Sequence, residues 1–393
     1  MPVVVYVLGL SIFGLGTTEF MIAGLLPLIA DDLDVSVPAV GGLISAFAIG
    51  MVIGAPALTA ASLRLPRKTT LIGALVLFIA GQALGALAPN YGVLLVARVV
   101  TAVATGAFWG VASVTAVRAV PPERTARALA VLLGGLTIAN VLGVPAGTWI
   151  GQSLGWRATF WAVAIVAAIS LVGVVALVPA GGRTEQPPRL RDELRTFRNG
   201  RLWVALATTV LYGGAIFGAF SYAAPLITDV ADLPESAVPA ILLLFGVGAF
   251  LGNVIGARVA DRGMLTNLHV SFGALVVVMA ALGTFAGSAV AAVVLLFAMG
   301  VTGYSAAAAL NGRVFQLSAK APTLASAVNT SAFNVGNTIG PWIGGAAISA
   351  GFGYRAPVWV GVALLLGALA LTFASRALDA REAAPAPEPA LAV

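Results

Sequence analysis

The sequence contains no cysteine and only one histidine, His269, among its 393 residues. Disulfides and thiolate metal sites are therefore excluded, and a single imidazole cannot build a zinc site by itself. We expect no metal, and we interpret His269 as a residue of the membrane interface.

Charged residues are scarce as well. Only 9% of the residues are charged and 60% are hydrophobic, whereas a soluble domain carries roughly 25% charged residues. This composition excludes a soluble globular domain and indicates a chain embedded in a lipid bilayer. No loop combines sufficient length with a basic stripe and interleaved aromatic residues, so we expect no nucleic-acid partner.

The apolar residues fall into twelve runs, each close to the roughly 20 residues that a helix needs to cross the hydrocarbon. We therefore predict an all-α integral membrane protein with twelve transmembrane helices. The predicted spans are residues 4–30, 39–61, 70–88, 91–117, 127–150, 157–179, 202–228, 237–258, 267–286, 288–312, 323–349 and 355–375.

The basic residues predict the orientation of these spans. The loops after even-numbered spans, together with the C-terminal segment, hold 18 of the 21 lysines and arginines. The positive-inside rule assigns such loops, and with them both termini, to the cytoplasm. The opposite end of the bundle, which we call the acidic end, carries Asp31, Asp32, Asp34, Asp229, Asp232 and Glu235.

The two halves of the chain are copies of one bundle. Residues match at a constant offset of 198: Gly50 and Gly54 recur as Gly248 and Gly252, and "GWRATFW" recurs as "GYRAPVW". An even number of spans in each copy gives the copies the same orientation, as parallel repeats. We predict an N-terminal six-helix bundle at 1–180, a cytoplasmic linker at 181–200, a C-terminal six-helix bundle at 201–376 and a disordered cytoplasmic tail at 377–393. The linker is either a short helix on the inner leaflet or a solvated tether.

Several short motifs accompany this architecture. "LRLPRK", which ends at Lys68, resembles the cytoplasmic loop motif D-R-x-G-R-K, and "DRG" from Asp261 resembles its second copy. Glycines and a proline in span 5 resemble the antiporter motif, and span 11 echoes them. On these residues the chain resembles the major facilitator superfamily from span 1 to span 12. Within that superfamily it resembles the twelve-span drug:proton antiporters, and "TTEFM" together with "LRLPRK" is most similar to bacterial chloramphenicol-resistance exporters.

The resemblance implies the major facilitator fold and alternating access, driven by the proton gradient without a cofactor. It also implies a multi-pass protein of the bacterial inner membrane, and we expect a monomer. Leu63 and Pro66 replace the aspartate and glycine of the loop motif, so the charge contact that latches one conformation in relatives is missing there. The residues expected to form the conformational motifs are Arg64, Arg67, Lys68, Gly143, Pro145, Gly147, Asp261, Arg262, Gly340 and Pro341.

One carboxylate lies deep inside an apolar run. Glu19 is the only acidic residue inside any predicted span, and at 1.5 Å per residue it lies roughly 18 to 22 Å from either end of its helix. A charge at that depth costs at least ~2.5 kcal/mol, so the carboxyl group either faces a wet cavity or is protonated. We expect Glu19 to bind a proton from outside and to release it inside when substrate competes for the site. A protonated glutamate bonded to a neighbouring helix is the structural alternative.

Arg98 is the only basic residue well inside a span. It lies in span 4 on one helical face with Thr101 and Thr105, and it either contributes to the proton path or ties helices together. Other polar and aromatic residues are candidates for a mostly apolar substrate site, although packing between helices explains them equally well. The candidate substrate-binding residues are Glu19, Thr101, Thr105, Trp109, Asn140, Tyr212, Phe217, Phe220, Tyr304, Asn334 and Asn337.

These features favour a secondary active exporter of small amphipathic compounds that exchanges them for protons, with chloramphenicol as one candidate substrate. A sugar or nucleoside transporter of the same fold is the main alternative, because the asparagine-bearing faces suit such substrates as well. A membrane enzyme would need a nucleophile with a base or a metal cluster inside the spans, and a sensor would need an output domain. The sequence offers neither.

Overall fold

The computed structural model describes residues 1–62, 66–179, 199–260, 263–318 and 322–383, and these residues form helices joined by short turns. Twelve helical segments match the twelve predicted spans, and we number them in chain order. They are α1 (Val3–Phe20, continued by Met21–Gly24 and Leu26–Asp32), α2 (Val37–Ser62), α3 (Arg67–Ala86), α4 (Tyr91–Arg118), α5 (Thr125–Ile138, Ala139–Gly143 and Val144–Leu154), α6 (Trp156–Leu177), α7 (Gly200–Ser221, Ala223–Pro225 and Leu226–Val230), α8 (Val238–Ala260), α9 (Met264–Phe285), α10 (Ala289–Tyr304 and Ala307–Leu317), α11 (Pro322–Ala347 and Ile348–Phe352) and α12 (Ala356–Ala383).

Eleven segments of the described chain are long and apolar enough to cross a membrane. The twelfth is α11, in which Asn, Ser, Thr and Gly lower the hydropathy between 322 and 347. It packs against α2 and α7 within the bundle. The polar composition of α11 therefore belongs to a helix enclosed by other helices.

Proline interrupts the helices at related places in the two halves. Pro27 stands in the first turn of the last segment of α1, and Pro225 stands in the corresponding part of α7. Proline lacks the backbone N–H that would continue the helical hydrogen bonds. Both α1 and α7 therefore break near the acidic end.

The backbone contacts confirm the internal repeat at the same offset. Gly54 packs against Val103 of α4, and Gly252 packs against Val301 of α10. A Cβ atom at either glycine would clash with these neighbours, so the absent side chain allows the helices to approach closely. The pairs α2–α4 and α8–α10 are thus equivalent crossings in two copies of one bundle.

The two halves meet through α2 against α11 and through α5 against α8. Ser45 of α2 donates a hydrogen bond to the Thr338 carbonyl of α11, at 2.9 Å. Gln152 of α5 donates to the Glu235 carbonyl just before α8, at 2.7 Å. These bonds lie in the half of the bundle nearer the acidic end, so the described residues close the bundle there.

The C-terminal helix extends beyond the boundary that the sequence predicted. We expected a disordered tail from residue 377, but α12 continues to Ala383. Asp379 accepts hydrogen bonds from Arg313 of α10, at 2.6 Å and 2.7 Å, and from Arg201 of α7. These bonds attach the end of α12 to the bundle, which a count of apolar residues cannot predict. Residues 180–198 of the linker region and 384–393 of the tail lie outside the described residues.

An ion pair and its neighbouring hydrogen bonds join the end of α1, the turn after α3 and the start of α6 at the acidic end. Arg157 donates to Asp32 at 2.6 Å and to the Ala88 carbonyl at 3.0 Å, and Trp156 donates to Asp32 at 3.1 Å. The hydrogen bond from Arg157 is the main cause that lowers the pKa of the Asp32 carboxyl group below its usual value of 3.8. This stabilisation is therefore present above that value and is lost as the pH falls through the lowered pKa.

We predict that Arg157→Gln lowers the melting temperature of the purified protein at neutral pH. The difference from the wild type should shrink as the pH falls from about 5 towards about 3, because Asp32 then becomes protonated in both proteins. Thermal unfolding in detergent across this range measures the effect. Arg355 is the repeat counterpart and donates to the Thr284 carbonyl instead of a carboxylate, so Arg355→Gln should show no such pH dependence. A constant difference for Arg157→Gln would contradict the assignment.

Candidate transport site

Glu19 has solvent-accessible surface inside a buried stretch of α1. Among residues 14–26 it is the one residue that is not buried. Its carboxylate forms no hydrogen bond with any other described group. The side chain is therefore partly accessible to solvent within an otherwise buried part of the bundle.

The α1 helix breaks immediately after Glu19. Its first segment ends at Phe20, and a short 3-10 segment from Met21 to Gly24 follows. The last carbonyls of a helix segment lack partners within that segment. Met21 N–H bonds to one of them, on Thr17, and the carbonyls of Thr18 and Glu19 require donors from elsewhere.

Arg98 of α4 supplies those donors. Its Nη1 donates to the Thr18 carbonyl at 2.6 Å, and its Nη2 donates to the Glu19 carbonyl at 3.3 Å. A cation at the carbonyl end of a helix is also favoured by the helix dipole. The guanidinium therefore caps the break in α1.

The same guanidinium contacts α2. Arg98 Nε lies 3.5 Å from the Leu43 carbonyl, and the guanidinium lies over the Phe47 ring, 4.4 Å from its centroid. The side chain is fully buried, so its charge is compensated by protein groups alone. The carboxylate of Glu19 is the acidic group that acts on it electrostatically. Arg98 thus ties α1, α2 and α4 together and places a fixed positive charge near Glu19.

A buried amide completes this network. Gln82 of α3 donates through Nε2 to the Thr18 hydroxyl, and both side chains are fully buried. Thr18 therefore receives a hydrogen bond at its hydroxyl from α3 and at its carbonyl from α4. Four helices converge on the break in α1.

The second half does not repeat this site. At the offset of 198 residues, Phe217 stands at the position of Glu19, and Leu296 stands at the position of Arg98. The two halves share backbone geometry, but only the first carries the acid and the base at these positions. Any charge-dependent step at this level therefore belongs to the first half.

Aromatic rings close the space beside Glu19 towards the acidic end. Phe20 of α1 stacks on Phe217 of α7, with ring centroids 5.0 Å apart, and Phe333 of α11 packs edge-on against Phe217 at 5.3 Å. These rings join the two halves next to Glu19. Tyr304 of α10 is partly exposed and lies within electrostatic range of Glu19 from the second half.

Three other candidate residues donate hydrogen bonds to the backbone of their own helices. The Thr101 and Thr105 hydroxyls are buried and donate to carbonyls one turn earlier in α4. Asn140 donates to the Leu136 carbonyl of α5, at 3.2 Å. The two threonine hydroxyls therefore donate to the backbone of their own helix in this conformation, and Asn140 uses one of its two amide N–H groups in the same way.

Two candidate aromatic residues lie within the second half. The Tyr212 hydroxyl donates to the Gly303 carbonyl at 2.9 Å, and Tyr212 is buried. Phe220 stacks on Phe245, with centroids 4.5 Å apart.

Trp109 of α4 is partly exposed and packs beside Phe47 in the first half. The structure thus brings Arg98, Phe217 and Tyr304 close to Glu19, and it places Tyr212 inside the C-terminal bundle.

Two buried amides lie on α11. Asn334 and Asn337 are 5% and 2% exposed, and their Oδ1 atoms have no hydrogen-bond partner among the described residues. They share the helix with Thr338, whose carbonyl accepts a hydrogen bond from Ser45 of the first half. They therefore lie near the boundary between the two halves.

The candidate conformational residues support close helix packing. Gly143 packs against Thr17, Gly147 against Thr159, and Gly340 against Gly214. Pro145 begins the last segment of α5, and the Pro341 carbonyl accepts a hydrogen bond from Tyr222 at 2.9 Å. Arg67 is buried at the start of α3, and Lys68 beside it is half-buried. Arg64, Asp261 and Arg262 lie outside the described residues.

Comparison with known proteins identifies the class. A family model described as Major Facilitator Superfamily matches residues 8–331. The chain therefore belongs to the major facilitator superfamily and is a multi-span membrane transporter, not an enzyme. The predicted family is confirmed, and so is the predicted fold class.

Individual relatives show the range of the group. The inner membrane transport protein YdhP of Escherichia coli (strain K12) is 40% identical over 91% of this chain and 93% of its own length. The chloramphenicol resistance protein of Streptomyces lividans is 40% identical over 96% of this chain and 97% of its own. A probable sugar efflux transporter of Mannheimia succiniciproducens is 31% identical over 88% and 85%.

A solved structure has the same fold. The crystal structure of a bacterial homologue of the human lysosomal transporter Spinster, in an inward-facing and unoccupied conformation, superimposes with a TM-score of 0.78. The alignment covers 98% of both chains at 17% identity. This likeness extends to the fold alone.

Phe20, Phe47 and Gln82 are not among the residues predicted for the site from the sequence. Gln82 carried a usable signal, because it is the one long polar side chain in the apolar stretch of α3 between residues 71 and 86. Phe20 and Phe47 carried none, since a phenylalanine in a span is ordinary. Only the folded contacts distinguish them.

We predict that Arg98→Lys destabilises the protein by roughly 2–4 kcal/mol. An ammonium group cannot reach the Thr18, Glu19 and Leu43 carbonyls and the Phe47 ring together, so buried carbonyls lose their donors. Thermal unfolding of the purified protein measures the loss. Arg127 is exposed at the start of α5, and Arg127→Lys is the matched control. Equal melting temperatures for the two variants would show that Arg98 does not cap α1.

Proposed function

We propose that this transporter exports small amphipathic compounds in exchange for protons, with Glu19 as the proton-carrying group. The observation that carries the proposal is the partial exposure of Glu19 within an otherwise buried stretch of α1, beside the buried Arg98. A carboxylate reachable by water at the centre of a membrane protein is the kind of group that proton-coupled transporters use.

The proposed exchange uses two conformations. With the basic loops in the cytoplasm, the hydrogen bonds that join the halves at the acidic end support an inward-facing state for this structure. Separation of Phe20 from Phe217 would open the site to the outside, where Glu19 takes up a proton. After return to the inward-facing state, an arriving substrate competes for the site, and Glu19 releases its proton to the cytoplasm.

Arg98 has a supporting role in this exchange. Its hydrogen-bond acceptors are the backbone carbonyls of Thr18, Glu19 and Leu43, which do not titrate. The positive charge therefore stays in place whichever form Glu19 adopts. It compensates the carboxylate after proton release, and it keeps α1 broken at the same residue throughout the cycle.

The energetics suffice for export. One proton moving down 100 mV supplies roughly 2.3 kcal/mol, and one pH unit supplies roughly 1.4 kcal/mol more. Exchange of one proton for one neutral molecule therefore sustains a concentration gradient of several hundred-fold, on the order of what drug resistance requires.

Chloramphenicol is the first candidate substrate, because a relative that matches nearly the whole chain is named as a chloramphenicol resistance protein. Sugar export is the second candidate, because another relative, which matches 88% of this chain, is named as a probable sugar efflux transporter. Growth of a drug-sensitive host that expresses the chain, on chloramphenicol with and without a protonophore, separates drug export from sugar export.

We predict that Glu19→Gln abolishes substrate-induced proton release and active accumulation in energised inverted vesicles, because glutamine cannot bind and release a proton. Downhill movement of substrate should persist within about three-fold of the wild type, since the site keeps its shape. Proton release is measured with a pH-sensitive dye.

Glu123 is exposed at the basic end, and Glu123→Gln is the control that should behave as the wild type. Coupled transport at the wild-type rate by Glu19→Gln would exclude Glu19 as the proton carrier.

A further inference from the structure

Asn334 carries a buried oxygen without a partner. Its Nδ2 donates to the Thr330 carbonyl at 3.0 Å. A carbonyl can only accept, so this bond fixes which amide atom is the nitrogen. The remaining atom, Oδ1, is enclosed and has no donor among the described residues, and the residue is 5% exposed.

Asn337 lies one turn further along the same helix. It is 2% exposed, its Oδ1 is enclosed, and no described group donates to it. Pro341 stands four residues later and lacks an N–H, so the Asn337 backbone carbonyl also loses its usual helical donor. Several hydrogen-bond acceptors are thus collected on a short stretch of α11, each costly to bury without a partner.

The neighbours of adjacent residues show where this face points. Gly336 and Gly340 pack against α7, whereas the Thr338 carbonyl accepts a bond from Ser45 of α2. Asn334 and Asn337 lie between these two directions on the helix. They therefore face the seam between α2 and α7, which belong to different halves of the transporter.

Burial along this face increases towards the acidic end. Thr330 is exposed, whereas Asn334 and Asn337 are buried, Asn337 the more completely of the two. Phe333 contacts Phe217, which stacks on Phe20 next to Glu19. A molecule that enters from the basic end would pass Thr330 first and would then reach the two amides.

We propose that Asn334 and Asn337 form an acceptor site for the hydroxyl or N–H groups of the exported molecule, which rests on the proposed export function. Side chains three residues apart on a helix have Cβ atoms about 5–6 Å apart. The site therefore selects a substrate with two neighbouring donors, such as a diol or a hydroxyl next to an amide N–H. Groups that only accept, such as ethers and carboxylates, leave both oxygens without a partner.

Asn329 of the same helix shows the contrasting arrangement. Its Oδ1 accepts from Thr209 of α7 at 3.2 Å, and its Nδ2 donates to Asn311 of α10 at 2.7 Å. Both amide atoms are used to join helices. Asn329 is therefore a matched structural control for Asn337.

The first test compares stability and export in the two variants. Asn337→Ala should melt at or up to about 2 °C above the wild type, because an unpartnered buried amide is removed. Asn329→Ala should melt about 2–5 °C below it. Asn337→Leu is the control for the cavity that alanine leaves, because the leucine side chain has the same branched shape as that of asparagine. A fall in melting temperature for both Asn337 variants as large as that of Asn329→Ala would overturn the proposal, because it would show a structural role.

The second test uses two probes in energised inverted vesicles: chloramphenicol, which has two hydroxyls and an amide N–H, and its di-O-methyl ether. The wild type should export chloramphenicol at least about 10-fold faster than the ether, and Asn337→Ala should lose most of this preference. Equal export of both probes by the wild type would overturn the acceptor site while leaving the export function intact. Export of neither probe would refute chloramphenicol as substrate, and the melting comparison would still decide the role of Asn337.

Discussion

The arrangement of the first half depends on the buried guanidinium of Arg98. A charge with no exposure to water is tolerable only if protein groups replace its hydration. Arg98 obtains this replacement from carbonyls of α1 and α2 and from the Phe47 ring. In return, the carbonyls at the break in α1 receive donors that their own helix cannot supply. The charge and the broken helix therefore require each other.

This mutual requirement explains the position of Glu19. A continuous helix would satisfy the Thr18 and Glu19 carbonyls internally and would leave Arg98 without partners. Because α1 breaks after Phe20, the charge of Arg98 is held within electrostatic range of the carboxylate. Phe20 on the other side of Glu19 contacts the second half. The buried charge contact, the break in the helix and the contact between halves thus meet within three consecutive residues.

The two halves share their helix packing but differ in the side chains at the level of Glu19. The close crossings of α2 with α4 and of α8 with α10 recur at the same offset, so the repeat preserves what packing requires. At the level of Glu19 and Arg98, the second half has Phe217 and Leu296 instead. The first half carries the charges, and the second half carries aromatic rings and the amides of α11.

The spacing of largely apolar runs located the twelve helices, including the more polar α11, because the bilayer requires about 20 residues for each crossing. It also singled out Glu19 and Arg98, because charged residues deep in a span are rare and costly. It failed at the end of α12, where Asp379 holds the helix to the bundle through Arg313. Hydropathy also could not tell which aromatic residues of α7 contact the other half. Tyr212 donates a hydrogen bond to Gly303 inside its own half, whereas Phe217 stacks on Phe20 of the first half.

The sequence by itself determined the number of spans, the internal repeat and the presence of one acid and one base within the membrane. These properties follow from composition and periodicity, which lipid and the helical backbone impose locally. Only the tertiary structure decided that Arg98 binds carbonyls of α1 and that Gln82 donates to Thr18. It also decided that the side-chain oxygen of Asn337 has no partner among the described residues, whereas both amide atoms of Asn329 form hydrogen bonds. Hydrogen bonding depends on which groups of distant helices come within about 3 Å of each other, and a single chain's sequence pattern does not contain that distance.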